Sequence, residues 1–432
     1  MQQAKGKLEY HIPAQYTKER PPINYTHIIE AMPISKHPLG AKFPKPNGKL
    51  QCFDDLGRVI VKSKTNPEFF ADYISADIAQ LGLQIVSFED ATLVTITWLH
   101  TLLDAMGRHA LLRAWTAILE GRDNDVPDFL GYDTDPLASL GTTELSQQEA
   151  FVMEPRVVKA FGMARFVFNF LWEAFFYPDE ESRLVCMPAS YFSQLKAQAF
   201  TDLDTLAPAD LTYNNDAAEG KKPFLSDGDI LTAWLMRLIA STNPTITASS
   251  PTRLIAIMNV FGMRDVLRTT APPLLAPTGA YIHNCAAAIW SHFSLAELLV
   301  LPLGHVAARI RKDLVTQSTR AQVEAGARAA KARGGMALYG TGNMVLSAMT
   351  NWSKAKLFET DFSAAVVDGK SESGKTRGQP RFIHVFTTRA KGFPLRGNGN
   401  CVGRDAQGNW WFGTILRKGF GEGLGKAVDG MS

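Results

Sequence analysis

The 432-residue sequence is poor in cysteine. Its four thiols, Cys52, Cys186, Cys285 and Cys401, show neither a short metal-ligand spacing nor a dense disulfide framework. That disfavours zinc and iron–sulfur sites and fits unpaired, mostly buried thiols in a reducing compartment. No run of about 18 apolar residues occurs, and the first 22 residues lack the apolar stretch of a secretory signal. The chain is therefore expected to be soluble and cytoplasmic, with no membrane partner. An excess of one charge is missing too. Forty-five Lys and Arg face 42 Asp and Glu, a net +3, so no field gathers nucleic acid and none is expected as a partner. What the chain does have is length and 46% hydrophobic residues, enough for about two to three domain-sized units and a sizeable core.

Residues 1–66, rich in Pro, Lys and Gly, read as short strands and long loops, with β-like runs at Thr26–Glu30 and Val59–Val61. Within Glu68–Leu83, Phe69, Phe70, Tyr73, Ile74, Ile78 and Leu81 recur near a 3.6 period, which predicts a helix with one buried stripe. Ala91–Leu99 favours a strand and Arg108–Glu120 a helix, joined by His100–Gly107. Residues 122–146 read as a surface loop. The aromatic-rich stretch Pro155–Phe176 reads as a helix whose Phe166, Phe168, Phe170, Trp172, Phe175 and Phe176 are expected in the core or lining an apolar acceptor pocket. Leu184–Met187 reads as a strand.

Ala207–Lys222 has the composition of an exposed connection, dividing the chain near residue 215 into an N-terminal half, 1–214, and a C-terminal half, 215–432. Beyond it, Ser226 with Asp229 three positions later marks a capped helix. Arg253–Val260 reads as a buried strand and Ser294–Leu314 as a helix interrupted at Pro302. Thr316–Arg333 reads as an Ala-rich helix closed by Gly334 and Gly335. Arg309, Arg311 and Lys312 suit a solvated helix face, and His283 and His305 suit packed positions. Arg381–Phe386 and Trp410–Leu416 are expected as late strands. Helices and strands in both halves, without a repeat, predict two α/β units.

The chemistry concentrates in Trp98–Gly107, where a strand delivers His100 to its C-terminal end and Asp104 follows one turn later. A neutral imidazole can take a proton from an alcohol as it attacks an electrophile, provided the ring is held in place. Asp104 has two competing roles, orienting His100 or pairing with an arginine to hold the turn, because a buried carboxylate needs a partner. Spacing does not choose between them. On spacing alone, a packed histidine and a helix-start carboxylate are the simpler account. Gly107 suits a tight turn and close backbone packing.

His100-x-x-x-Asp104, with Ala105 and Gly107 behind it, resembles the HxxxD motif of the BAHD acyltransferases, particularly their fungal, trichothecene-acetyltransferase-like branch. Ser226-Asp-Gly-Asp-Ile-Leu-Thr-Ala-Trp-Leu resembles the family's helix opening the second half. Ile257-Met-Asn-Val, Tyr281-Ile-His-Asn284 and Ala308-Arg-Ile-Arg311 resemble its following strand, YxGN-like turn and helix, and Asn351-Trp352 with Phe358-x-x-Asp361-Phe362 the approach to its DFGWG motif. Leu99 stands where the doubled form has a first His, Ala105 where Gly is usual, and Asp361–Ala365 keeps only the opening of DFGWG.

The resemblance implies an α/β fold of two chloramphenicol-acetyltransferase-like domains with a channel between them. It implies an acyl-CoA-dependent O-acyltransferase that moves a short acyl group, acetyl foremost, onto a hydroxyl of a specialised natural product. His100 would be the general base, and Asp104 would hold the turn through Arg264. The co-substrate would be acyl-CoA, with no metal, and the protein a monomer. Two other readings stay open: a CoA-independent cyclase or condensation catalyst on the same fold, and a degenerate binding protein that keeps the scaffold.

Gly369-Lys-Ser-Glu-Ser-Gly374-Lys375-Thr376 matches the phosphate-loop pattern GxxxxGK[ST]. Its mechanism needs a helix starting at the lysine, which Gly378 and Pro380 forbid, so a solvated basic loop is expected instead. If the resemblance holds, Lys370, Lys375, Arg377 or Arg381 would meet coenzyme A phosphates.

Overall fold

A strand pattern shared across the connection near residue 215 dominates the computed structural model, which describes residues 2–4, 7–56, 69–214, 221–335, 337–367, 378–385 and 395–431. Ahead of the connection run β1 (Gln2–Ala4), β2 (Lys7–Glu9), β3 (Asn24–Ile29), β4 (Gln51–Asp54), α1 (Phe70–Ser75), β5 (Leu81–Ser87), β6 (Thr92–Trp98), α2 (Ala105–Leu119), β7 (Phe129–Leu130), α3 (Ala160–Phe176), β8 (Glu180–Met187) and α4 (Ala189–Asp202). After it come α5 (Asp227–Thr242), α6 (Pro244–Thr247), β9 (Leu254–Gly262), α7 (Arg264–Thr269), β10 (Ala280–Tyr281) and β11 (Ala286–Ser294). These are followed by α8 (Leu295–Val300), α9 (Leu303–Gln317), α10 (Arg320–Lys331), β12 (Val345–Asn351), β13 (Asn398–Arg404), β14 (Trp410–Arg417) and α11 (Gly421–Gly430).

Seven strands form a mixed sheet in the order β11-β9-β12-β13-β14-β8-β4, with β12 parallel to both its neighbours and the remaining pairs antiparallel. Its last two strands, β8 and β4, come from before residue 215. A second sheet, β3-β5-β6, pairs β5 antiparallel to β6 from Leu81 opposite Trp98 to Ser87 opposite Thr92. This hairpin carries the chain to His100.

The main core is built on α5. Its Ile230, Leu231, Leu235, Leu238 and Ile239 are buried among α4, α9, α11 and the large sheet, each such side chain contributing about 1.5–3 kcal/mol. Ser226 caps the helix as expected, and Asp229 reaches back to its amide to complete a capping box. The Asp229 carboxylate is buried, which raises its pKa against the opposing pull of Arg311, whose Nε donates to it at 2.7 Å. Arg311 thus departs from the solvated face expected for it: an acid inside the core requires a partner. Pro302 separates α8 from α9, and Gly334 and Gly335 close α10 with positive φ.

Three further expectations are corrected. Glu68–Leu83 is not one helix, because α1 covers only Phe70–Ser75 and Leu81 already belongs to β5; pairing with β6 overrides the helical period. The described part of Arg381–Phe386, residues 381–385, is neither strand nor helix. Helix α3 forms, but Phe168, Trp172, Phe175 and Phe176 are exposed rather than core. Among the described residues a narrow apolar stripe including Met163 and Phe166 docks against the cluster around Phe151, Trp290 and Tyr339. Among the described residues no helix is long and apolar enough to cross a membrane. Val59–Val61 lies outside the described residues.

Candidate active site

The β-branched run of β6 holds an extended path as far as Trp98, and a tight turn follows in which Leu102 N donates to Leu99 O at 2.9 Å. His100 sits on this turn and is exposed. The turn is held on several sides. Asn284 Nδ2 donates to His100 O at 2.8 Å, Trp98 Nε1 to Leu103 O at 3.2 Å, and Tyr10 Oη to Thr101 Oγ1 at 2.6 Å. His283 Nδ1 lies 3.2 Å from Leu102 O, which assigns the proton to that nitrogen.

Asp104 caps α2. Its Oδ1 accepts from Met106 N (3.1 Å), Gly107 N (2.9 Å) and Arg264 Nη2 (2.8 Å), and its Oδ2 from Arg264 Nη1 (2.9 Å) and Cys285 N (2.9 Å). The carboxylate is filled by these five donors. Of the two roles that spacing left open, its bonds go to the arginine and the backbone. Arg264, 8% exposed, also donates from Nε to Tyr281 O at 3.0 Å and from Nη2 to His283 O at 2.6 Å. A Cβ on Gly107 would lie 1.9 Å from Ile282 O, so glycine is what allows the 281–285 segment to lie against the helix start. The Cys285 thiol is pushed up to about 11 by burial and offers no thiolate at neutral pH.

The structure thus brings together four residues singled out in the sequence: His100, Asp104, Gly107 and Arg264. Of the basic residues matched to coenzyme A, Arg381 is exposed, while Lys370, Lys375 and Arg377, with the whole Gly369–Thr376 pattern, lie outside the described residues. Sequence reasoning missed that Tyr281–Cys285 clamps the His100 turn, because most of that clamp is backbone carbonyl and amide, which leave no residue signature. It also missed Arg108, buried between Trp98 and Trp352. A cleft of about 600 Å³ is lined by Arg165, Asn169, Trp172 and Arg253 among others. It opens at the beginning of β9, whereas Arg264 follows the other end of that strand, so the cleft stands a strand's length from the His100 turn.

No protein-family model matches the chain. Among curated proteins it is 33% identical over 426 residues to transcriptional regulator calD of Penicillium decumbens, covering 95% of this chain and 81% of that one. It is 32% identical to acetyltransferase adrJ of Penicillium rubens (95% and 81%) and 32% identical to acetyltransferase sphE of Aspergillus fumigatus (96% and 82%). Among solved structures, F. sporotrichioides TRI101 complexed with coenzyme A and T-2 superposes with a TM-score of 0.58 at 15% identity, covering 96% of this chain and 80% of that one. Vinorine synthase gives 0.51 at 13% identity, covering 82% and 66%. These last two show the shared two-domain α/β fold. With acetyltransferase relatives aligned along nearly its whole length and this fold beneath them, the chain belongs to the BAHD-type acyltransferase family and is an acyltransferase.

Proposed function

We propose that the protein is an acyl-CoA-dependent O-acyltransferase of the trichothecene-acetyltransferase-like branch, moving acetyl or another short acyl group onto a hydroxyl of a specialised natural product. The observation that carries this is an exposed imidazole on a turn whose backbone is tied down from both halves of the chain, with Asp104 and Arg264 locked beneath it. The TRI101 structures with coenzyme A and T-2 or deoxynivalenol, and the acetyltransferase names of relatives, support the substrate classes. For the relative named a transcriptional regulator, this chain's balanced charge supplies no comparable argument toward nucleic acid.

In this scheme His100 Nε2 takes the proton of the acceptor hydroxyl while its oxygen attacks the thioester carbonyl carbon. The C–S bond then breaks, and the imidazolium returns the proton to the departing sulfur, leaving an ester and free coenzyme A. Asp104 holds the turn rather than relaying charge. The two halves would present acyl-CoA and alcohol from opposite sides of a channel, raising their effective concentration. Lys370, Lys375, Arg377 and Arg381 are the proposed phosphate contacts, and a cytoplasmic monomer the proposed working form.

Incubation with acetyl-CoA and a panel of hydroxylated natural products, read by thiol release and product mass, tests the reading. Saturable coenzyme A release that depends on the alcohol, with one acyl group gained by the alcohol, is expected. Conversion of an intermediate without acyl-CoA would instead favour the cyclase reading.

A further inference from the structure

Arg108 lies one helical turn beyond Asp104 on α2, with 5% of its surface exposed. Its guanidinium carbon is 4.4 Å from the centre of the Trp352 ring and 5.2 Å from that of Trp98. Nε and Nη2 are sealed from solvent and find no hydrogen-bond partner among the described residues. Those two nitrogens form one edge of the guanidinium fork, the kind of edge that grips a carboxylate through two parallel bonds. Asp104, the carboxylate whose charge acts on Arg108, is already filled by Arg264 and three backbone amides. Burial pulls the Arg108 pKa down to about 10, so the cation persists at neutral pH.

As a prop for the fold this arrangement is a poor choice. An apolar side chain of similar length would fill the slot between the indoles and leave no buried donor unpaired. Its surroundings point to the reaction centre. Trp98 ends β6 two residues before His100, and its indole N–H donates into the same turn. Trp352 follows β12 of the other sheet, its indole N–H donating to Thr350 Oγ1 at 2.8 Å. Arg108 therefore joins the wall that carries His100 to the wall that ends in Trp352.

We propose that Arg108 assists acyl transfer through its charge: a cation held between two indoles behind the His100 turn, its free fork edge unmatched by any described carboxylate, offsets the negative charge that builds on the acyl carbonyl oxygen during attack. The inference rests on the acyltransferase reading. Its demand is electrostatic and applies in the transition state, so removing the charge lowers kcat more than it raises KM.

The test compares the full chain with Arg108→Met, which fills the slot without charge, and Arg108→Lys, which restores charge without the planar fork. Coenzyme A release from acetyl-CoA with water as acceptor needs no knowledge of the natural alcohol, and thermal unfolding supplies an independent readout. For Arg108→Met the expected result is a Tm at or above wild type, an acetyl-CoA KM within about twofold and a kcat at least about tenfold lower, with Arg108→Lys recovering part of kcat. An Arg108→Met kcat within about twofold of wild type overturns the inference, as does a lowered Tm with kcat lost only in proportion to unfolding. A wild type that releases no coenzyme A, with water or with any alcohol, overturns the acyltransferase reading and this one with it.

Discussion

Asp104 and Arg264 are nearly sealed, with side-chain exposures of 12% and 10%, and each completes the other's bonding. Truncating one leaves a buried charge without its partner, which costs about 3–5 kcal/mol. Asp104→Ala and Arg264→Met are each expected to lower the unfolding free energy in urea by that amount, and the double variant by much less than the sum. Additive losses would show that the two do not act as a pair. Arg108 runs the other way: burial works against its charged form, so its replacement by an apolar side chain of similar length is expected to spare stability. At this scale the sequence displayed the HxxxD spacing and a possible arginine. It did not display which way Asp104 faces, because that is decided by Arg264 and Cys285, 160 and 181 residues away.

Elements whose signals are local were legible: the strand leading to His100, the capped α5, the break at Pro302 and the glycine-closed α10. Elements whose fate depends on a partner were not. The apolar period of 68–83 says helix until β6 supplies a pairing edge, and the aromatic period of α3 reports a helix without saying how little of it is covered. The start of α2 depends on Gly107 in the same non-local way, since only the position of Ile282 makes a methyl group there intolerable. Gly107→Ala is expected to destabilise the protein by about 1–3 kcal/mol through forced displacement of the 281–285 segment. It should also loosen the His100 turn, visible as faster hydrogen exchange at Leu102, whose amide closes that turn. Unchanged stability and exchange would mean that the contact between α2 and Ile282 is not made.

Over the whole molecule, the large sheet takes β4 and β8 from before residue 215, so the two halves of the sequence are stitched by hydrogen bonds as well as by the clamp around Asp104. The order of the sequence blocks conveyed the two-unit α/β plan. It did not convey this exchange of strands, because strand order is set by contacts between distant segments rather than by any local pattern. What the assembly accomplishes is to hold an exposed histidine on a turn that neither half fixes alone. The most direct test is the steady-state rate of coenzyme A release from acetyl-CoA, with an accepted alcohol, for wild type and His100→Ala at matched fold integrity. Because His100 is exposed, its loss should leave Tm within about 2 °C, while the rate falls at least about 100-fold. A His100→Ala protein that melts with wild type and turns over as fast would contradict the account.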